Sequence, residues 1–214
     1  MAKATLNKAS YVDAALDLIA ESGVDKLSMR KVATRLGVSP MAMYKHFPAK
    51  EDLLTASFDT FIARANVIPT GDLPWDDWVE KVGHGMYRAL CSQLSWVPLL
   101  GSLHLGSHAA MVTDAFVERL CEAGFTLEES LEAFYGVIQV VLGAVCLRAS
   151  LDPAKASAGS VSEVTLEYLD NADRKRLSVA PALEDLLSRE QVDIGLPLMI
   201  DALRMRLEKR KQPR

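Results

Sequence analysis

Cysteine is scarce in this chain, and the few cysteines are poorly placed for disulfide bonding. The sequence of 214 residues has three of them, Cys91, Cys121 and Cys146, an odd number lying far apart in apolar surroundings. Small secreted domains that depend on disulfides carry cysteine at a much higher density. The pattern argues against a disulfide framework and a zinc site, and it predicts three core thiols in a reducing cytosol.

The chain also lacks the hydrophobic runs that direct a protein to a membrane. No run of 18 or more apolar residues occurs, so no transmembrane helix is predicted. The first ten residues, MAKATLNKAS, lack the apolar region of a secretory signal. Half of the residues are apolar and 24% are charged, which is normal for a globular protein. We therefore expect a cytoplasmic protein with a sizeable core and no membrane partner.

Motifs of common catalytic sites are missing as well. There is no glycine-rich phosphate loop, no G-x-S-x-G elbow and no cluster of metal-ligating residues. A thiol site built from His84, His104 and Cys91 is the enzymatic alternative, but closeness in sequence does not bring side chains together. The sequence favours a protein that is not an enzyme and that holds no cofactor and no metal.

Acidic residues are absent between Asp25 and Glu51. No carboxylate within this segment therefore balances the charge of its lysines and arginines. Residues 1–66 hold nine Lys and Arg against seven Asp and Glu, a net charge of +2, whereas the remaining residues have a net charge of −6. A basic module attracts nucleic-acid phosphates, which nearby carboxylates would repel. The charge alone is equally compatible with a solvated surface. The cationic residues are Lys26, Arg30, Lys31, Arg35, Lys45 and Lys50.

The same segment carries the local signals of two short helices joined by a tight turn. Ser28 can cap the first helix, and Ser39 can cap the second, where Pro40 occupies the first turn without losing a hydrogen bond. Gly37 is suited to the left-handed conformation that ends the first helix. The second helix is predicted over residues 41–47, MAMYKHF. Two such helices with a glycine at the joint are typical of a DNA-reading helix-turn-helix.

The stretch MRKVATRLGVSPMAMYKHFPAKEDLL resembles the DNA-binding region of the tetracycline-repressor (TetR) family of bacterial transcription regulators. The resemblance runs from about Ser10 to Ile62. It is carried by the V-A-x-x-L-G-V-S turn, the Y-x-H-F end of the second helix and the K-E-x-L start of the next. It implies an all-α fold in which an N-terminal three-helix helix-turn-helix DNA-binding domain, residues 1–66, is joined by a fourth helix to a helical ligand-binding and dimerisation domain, residues 67–214.

Double-stranded DNA with a palindromic operator is the predicted partner of the helix-turn-helix. A recognition helix meets bases and phosphates with its exposed start and face. Met41 and Ala42 are expected to touch thymine methyl groups, while Tyr44 and His46 hydrogen-bond phosphates. Simple packing of the Tyr44 ring is the alternative, and Met43 and Phe47 are expected to face inward. The predicted DNA-binding residues are Ser28, Arg30, Ser39, Pro40, Met41, Ala42, Tyr44, Lys45, His46 and Lys50.

The rest of the chain predicts helices only. They fall at about 75–94, 96–105, 107–123, 127–149, 160–177 and 189–207. The helix at 127–149 has two apolar rows, and a helix that is apolar on two faces must be covered twice. The second row is therefore predicted to lie in a homodimer interface built from this helix and the last one, with intramolecular core as the alternative. The first row is Leu131, Phe134, Tyr135, Ile138, Leu142 and Val145, and the second is Val137, Val140, Val141 and Ala144.

Three stretches of the body, DLPWDDW, HLGS and LCEAGFTLEESLEAFYGVIQVVLGAVCL, resemble the ligand-binding half of the tetracycline repressors. The resemblance implies a pocket in each body; in those repressors a drug bound with magnesium causes release from DNA. His104 matches a magnesium-binding histidine and Ser107 a hydroxyl residue of the same motif. Other positions differ: Val82 replaces an asparagine, Met86 a phenylalanine, Phe116 a glutamine, Gln139 a histidine and Leu147 a glutamate.

These differences predict a neutral, largely apolar small-molecule effector, because a buried charged chelate would lack partners. The chain is thus predicted to be a TetR-family DNA-binding transcriptional regulator, a repressor released from its operator by such a ligand. A helix-turn-helix regulator controlled by a protein partner, with a vestigial pocket, is the alternative. The alternative for the predicted ligand-binding residues is that their side chains fill the core and leave no cavity. These residues are Val82, Met86, His104, Phe116, Phe134, Tyr135, Ile138 and Gln139.

Overall fold

The computed structural model describes residues 7–104, 106–151 and 185–211. Within these ranges all regular structure is helical, and no β-strand occurs. The chain divides into two compact units. The first contains the described residues up to Ile68 together with Ala89–Ala115, and the second contains Pro69–Arg88 and the described residues from Phe116 onward. The predicted helix at about 160–177 lies outside the described residues.

Four helices begin the first unit, and the side chain of the N-cap residue fixes the start of each of the first three. Asn7 Oδ1 accepts a hydrogen bond from the backbone N–H of Ser10 at 3.0 Å, which fixes the start of α1. Gly23 ends that helix, and a 3₁₀ turn at Val24–Lys26 follows. The helices are α1 Lys8–Ser22, α2 Met29–Arg35, α3 Pro40–Tyr44 and α4 Lys50–Ala65.

The core of the first unit is completed by a later segment of the chain. A 3₁₀ helix at Leu94–Leu99 buries Trp96 fully, and its ring lies 5.2 Å from that of Phe58 and 5.9 Å from that of Phe61. Burial of an aromatic ring removes a large apolar area from water. The segment Ala89–Ala115, which the sequence assigned to the second domain, therefore packs with the first unit. The domain division at 66/67 itself stays a prediction.

Helices α5, α6, α7 and α8 make up the remaining described structure. Thr126 and Glu129 form the predicted capping box of α7: Thr126 N donates to Glu129 at 2.7 Å, and Glu129 N donates to Thr126 Oγ1 at 3.2 Å. Within the second unit, α7 packs along α8. The helices are α5 Trp75–Ser92, α6 Ser107–Ala123, α7 Leu127–Leu151 and α8 Val192–Lys211.

Three helix boundaries differ from the sequence prediction. Helix α3 ends at Tyr44 rather than at Phe47, because the last residues turn with hydrogen bonds from His46 N and Phe47 N to the carbonyl of Met43. Helix α5 ends at Ser92, and the segment predicted at 96–105 forms the 3₁₀ helix at Leu94–Leu99 instead. Helix α8 runs from Val192 to Lys211 rather than over 189–207, and it continues through Pro197.

The prediction for the second apolar row of α7 is wrong in part. Val137, Val141 and Ala144 are buried within the single chain and are not available as an interface. Val140 of the same row lies against Gly195 of α8, while the exposed side of α7 carries Leu131 and Tyr135. Periodicity identified both rows, but it could not say which one the chain itself covers.

The cysteine prediction is also corrected. Cys121 and Cys146 are exposed, and Cys91 is half-buried, so none of the three is a fully buried core thiol. Cys121 Sγ lies 3.5 Å from Ser130 Oγ, a buried hydroxyl on α7 that also donates to the Thr126 carbonyl. None of the three forms a disulfide bond.

Helix α7 is long and apolar enough to cross a membrane by length and composition alone. The stretch Leu127–Ser150 reaches a mean hydropathy of 1.8, and it is the one described helix that meets this criterion. The core helix of a soluble protein meets it as well, and 39% of the stretch is buried. A single helix of this kind is weak evidence for a membrane span.

Candidate nucleic-acid interface and effector site

The turn between α2 and α3 has the predicted caps. Ser28 Oγ accepts from Lys31 N, and Ser39 Oγ accepts from Ala42 N, each at 3.3 Å. Gly37 has φ of 65°, in the left-handed region where a side chain would be strained. These local bonds satisfy backbone groups that helices of seven and five residues would otherwise leave unpaired.

Helix α3 presents one face to solvent and buries the other. Met41 is 72% exposed and Tyr44 46% exposed, whereas Met43 and Phe47 are buried in the core of the first unit. This is the orientation that the sequence predicted for a helix that reads a groove. Pro40, Lys45, Arg30 and Ser39 are also exposed, while Ala42, His46, Ser28 and Lys50 are half-buried.

The cations of the segment are not equivalent. Arg35 donates to Glu21 at 2.5 Å, and this hydrogen bond lowers the pKa of the Glu21 carboxyl from its ordinary value. Lys31 Nζ donates to the carbonyl of Lys26 at 2.8 Å. Among the described residues, Arg30, Lys45 and Lys50 have no carboxylate partner. They therefore remain available for phosphates.

Lys50 begins α4, close to the unpaired N–H groups of a helix N-terminus. The side chain of Asp52 caps this end by accepting from Ala49 N at 3.0 Å. The positive end of a helix and an adjacent lysine together favour an anion. His46 precedes this helix, and its ring is braced by Tyr11 of α1, with the ring centroids 5.0 Å apart.

Two polar links, neither of them predicted from the sequence, tie the first unit together. Gln93 Nε2 donates to the carbonyl of Ile19 and to Ser95 Oγ, each at 2.8 Å, and Ser95 Oγ accepts from Val24 N at 3.2 Å. These bonds fix the end of α1 against the 3₁₀ helix. No local pattern could reveal them, since Gln93 and Ile19 lie 74 residues apart in the chain.

The second link joins α4 to the start of α6 through Asp59. Its carboxylate accepts from His108 N at 2.8 Å and from Ser107 Oγ at 3.2 Å, and its Oδ2 lies 2.9 Å from His108 Nδ1. Burial alone would raise the pKa of the Asp59 carboxyl, but the hydrogen bonds from His108 and Ala109 outweigh it and hold that pKa below its ordinary value.

The predicted ligand-binding residues are only partly gathered by the structure. Phe116 and Phe134 are buried with their rings 5.2 Å apart, and the Trp78 ring lies 5.9 Å from Phe116. Val82 is fully buried, and Met86 and Ile138 are half-buried. Tyr135 is 61% exposed and Gln139 is exposed in the single chain. Their grouping into one binding site stays a prediction.

His104 belongs to the first unit. It is exposed and lines an open cleft of about 640 Å³ together with residues of α1, α4 and the end of the helix-turn-helix. Ser107 donates its hydroxyl to Asp59, and Leu147 is an apolar side chain. In the part of the chain that the structure describes, no three His, Cys, Asp or Glu side chains form a potential metal site. These residues do not fit the magnesium-dependent site that the resemblance implied.

A partly buried network of polar side chains in the second unit was also not predicted from the sequence. Tyr87 donates to Glu190 at 2.6 Å, and Arg148 pairs with the same carboxylate. The hydrogen bond from Arg148, followed by that from Tyr87, lowers the pKa of Glu190. This network links α5, the end of α7 and the residues just before α8.

A capped helix-turn-helix with an exposed recognition helix that Lys45 directly follows, accompanied by a second helical unit, defines a DNA-binding transcription regulator. The comparisons with known proteins make this specific. Residues 12–56 match the model of bacterial regulatory proteins of the tetR family, and residues 69–207 match the tetracyclin repressor-like C-terminal domain. The chain belongs to the TetR family of transcriptional regulators.

Similar proteins cover nearly the whole chain. The class A tetracycline repressor from transposon 1721 of Escherichia coli is 28% identical over 200 residues, covering 92% of this chain and 90% of the relative. A possible TetR family transcriptional regulator from Streptomyces coelicolor has a TM-score of 0.72 at 29% identity, covering 93% of this chain and 99% of its own. ActR from the same organism, solved with actinorhodin, has a TM-score of 0.77 at 20% identity, with coverage of 95% and 99%, and shows the fold alone.

Proposed function

We propose that this regulator is a cytoplasmic repressor that binds a palindromic operator as a homodimer and leaves it when a small, neutral, largely apolar molecule binds the second unit. The observation that supports this ligand class is the buried aromatic pair Phe116 and Phe134 beside Trp78. A ligand among such side chains gains apolar contact and finds few charged partners. A metal chelate would carry buried charge without compensation.

The departures from tetracycline repressors point the same way. Val82 is fully buried and cannot hydrogen-bond a drug, and Leu147 cannot ligate a metal. The relatives named for tetracycline therefore support a shared architecture for this protein rather than a shared ligand. The proposed lining rests on Val82, Met86, Phe116, Phe134 and Ile138. Tyr135 and Gln139 would join a closed pocket only where a second copy of the chain covers them.

Dimerisation is supported by the apolar side chains that the single chain leaves exposed on α7 and α8. Tyr135 is 61% exposed and Leu198 is 67% exposed. Exposed apolar rows on two neighbouring helices favour an isologous four-helix interface, which buries them in both chains at once. The exposed apolar side chains are Leu127, Leu131, Tyr135 and Leu147 on α7 and Leu198 and Met205 on α8. Leu127, Leu131 and Tyr135 follow one another at four-residue spacing and so share one face of α7.

Tryptophan fluorescence provides a direct test of the ligand class. Trp96 belongs to the core of the first unit, so a Trp96→Phe variant leaves Trp75 and Trp78 to report on the second unit. We expect at least one neutral aromatic compound of a chemically varied panel to quench this signal with micromolar affinity. By linkage, bound operator must weaken that ligand by the same factor that the ligand weakens operator binding.

The matched control ligand for this titration is magnesium–tetracycline. A Trp78→Phe variant shows which tryptophan ring gives the fluorescence change. Phe116→Ala should weaken the aromatic ligand about tenfold or more, because it removes a ring from the proposed lining. Tight binding of the chelate that disappears when magnesium is removed by a chelator would show that the ligand class is wrong.

A further inference from the structure

Asp59 makes an unusual connection for a residue in the middle of a helix, because it caps the start of a different helix. Helix α6 has no acidic residue in its own first turn. Its first amides instead donate to Asp59, with His108 N at 2.8 Å from Oδ1 and Ala109 N at 3.4 Å. A carboxylate at this position satisfies donors that a helix start leaves unpaired and favours the positive end of the helix dipole.

Side-chain donors complete the same arrangement. Ser107 Oγ donates to Oδ2 of Asp59 at 3.2 Å, and the His108 ring nitrogen Nδ1 lies 2.9 Å from the same oxygen. The Asp59 side chain retains only 17% of its surface, whereas His108 keeps 46%. Both carboxylate oxygens are therefore committed to α6.

Gly106 allows this close approach. A Cβ placed on Gly106 would lie less than 3.0 Å from three atoms of the Asp59 side chain, including its Cβ, so the neighbour would have to move. Gly106 does not have a positive φ. The glycine is therefore explained by the space that Asp59 occupies and not by its backbone conformation.

The two helices joined by this contact differ in role. Helix α4 begins at Lys50, about 14 Å along the helix from Asp59 at 1.5 Å per residue, and follows the recognition helix directly. Helix α6 continues from the contact to Phe116 and beyond, into residues of the second unit. A small change in direction of α4 at Asp59 would displace Lys50 and the recognition helix.

We propose that Asp59 is a positioning residue: by capping α6 over Gly106, it sets the direction of α4, so that the two recognition helices of a dimer enter both half-sites of an operator together. The role rests on the proposed function, because half-sites are read together only by a dimer. It predicts that replacing Asp59 lowers the affinity for a palindrome. The affinity for a single half-site should stay the same, because that site requires only one recognition helix.

The test compares Asp59→Ala and Gly106→Ala with the wild type on two duplexes: a palindrome selected by the wild-type protein from a random library, and the same duplex with one half-site scrambled. We expect both variants to lose tenfold or more in affinity for the palindrome and to stay within twofold on the half-site duplex. Asp59→Asn, which keeps one acceptor oxygen, should fall between. Asp114→Ala on exposed α6 is the matched control and should behave as the wild type.

Amide hydrogen exchange provides a second measurement on the same variants. Exchange at His108 and Ala109 should become at least tenfold faster in Asp59→Ala, while the amides of α2 stay protected, which shows that the first unit remains folded. An equal loss on both duplexes, or a palindrome affinity within twofold of the wild type, would overturn the positioning role. A wild-type protein that selects no palindrome would contradict the proposed function itself.

Discussion

Single residues decide where the helices of the helix-turn-helix begin and end. Ser28, Gly37 and Ser39 could be predicted from the sequence because each acts on backbone groups within three residues of itself. Asp59 could not be predicted, because its partners lie 48 to 50 residues away in the chain. The only local trace of that contact is the glycine at Gly106 directly before the helix.

Replacing Lys50 and replacing Tyr44 on the proposed DNA surface should affect DNA affinity in different ways. Lys50→Ala should weaken binding to every duplex and make the dependence of log affinity on log salt shallower by about 0.9, because one phosphate contact is lost. Tyr44→Phe deletes only a hydroxyl, so it should cost about tenfold in affinity with an unchanged salt slope. Anisotropy titrations with a labelled duplex at several salt concentrations measure both quantities.

Lys81→Ala is the matched control, since Lys81 is an exposed lysine on α5 that belongs to the second unit. It should leave both affinity and slope as in the wild type. If Tyr44→Phe and Lys50→Ala both bind like the wild type, the assignment of these side chains to DNA is wrong. If only Tyr44→Phe does, the Tyr44 ring serves packing instead.

At the scale of elements, α7 shows what periodicity can and cannot establish. Its start at Thr126 and Glu129 was predicted correctly because a capping box is a local signal. Two apolar rows were also visible in the sequence. The choice between them depends on where α8 packs, and Val137 and Val141 turned out to be buried by their own chain. The interface residues therefore had to be reassigned to the side that carries Tyr135.

Substitutions on the two faces of α7 should have different consequences. Tyr135→Glu places a charge on the exposed side of α7, so we expect a folded protein that sediments as a monomer at micromolar concentration, where we expect the wild type to be a dimer. Val141→Glu places the same charge in the core without a partner and should unfold the second unit. Sedimentation velocity and thermal unfolding distinguish the two results.

The opposite pattern would restore the first interpretation of this helix. A Tyr135→Glu protein that stays dimeric, beside a folded, monomeric Val141→Glu protein, would mean that the second row forms the interface. Glu118→Gln, on the exposed side of α6, serves as a charge-changing control and should leave the oligomeric state unaltered.

For the whole molecule, the sequence predicted an all-helical regulator correctly. That prediction was based first on the motif of the helix-turn-helix. What it could not predict is that Ala89–Ala115 packs with the first unit, because Trp96 finds its aromatic neighbours Phe58 and Phe61 only in three dimensions. Contacts between distant segments are a property of the packed core and not of any local pattern. The ligand site is the least predictable part for the same reason.

Contacts within the first unit connect several of its helices. The segment that follows α5 is held to α1 by Gln93 and to α4 by Trp96, and the start of α6 is held by Asp59. A ligand that binds one arrangement of these helices better than another shifts the population toward it, and only by its difference in affinity. Under the proposed function, release from DNA is a change in the spacing of the two recognition helices.

Hydroxyl-radical footprinting of the wild-type protein on a duplex that it has selected from a random library tests the central claim most directly. A two-fold dimer that reads a palindrome predicts two symmetric protected patches on one face of the DNA, with centres about 34 to 36 Å apart or a multiple of that distance. Protection should be lost from both patches together as salt is raised. A single patch, or two patches without symmetry, would contradict the account.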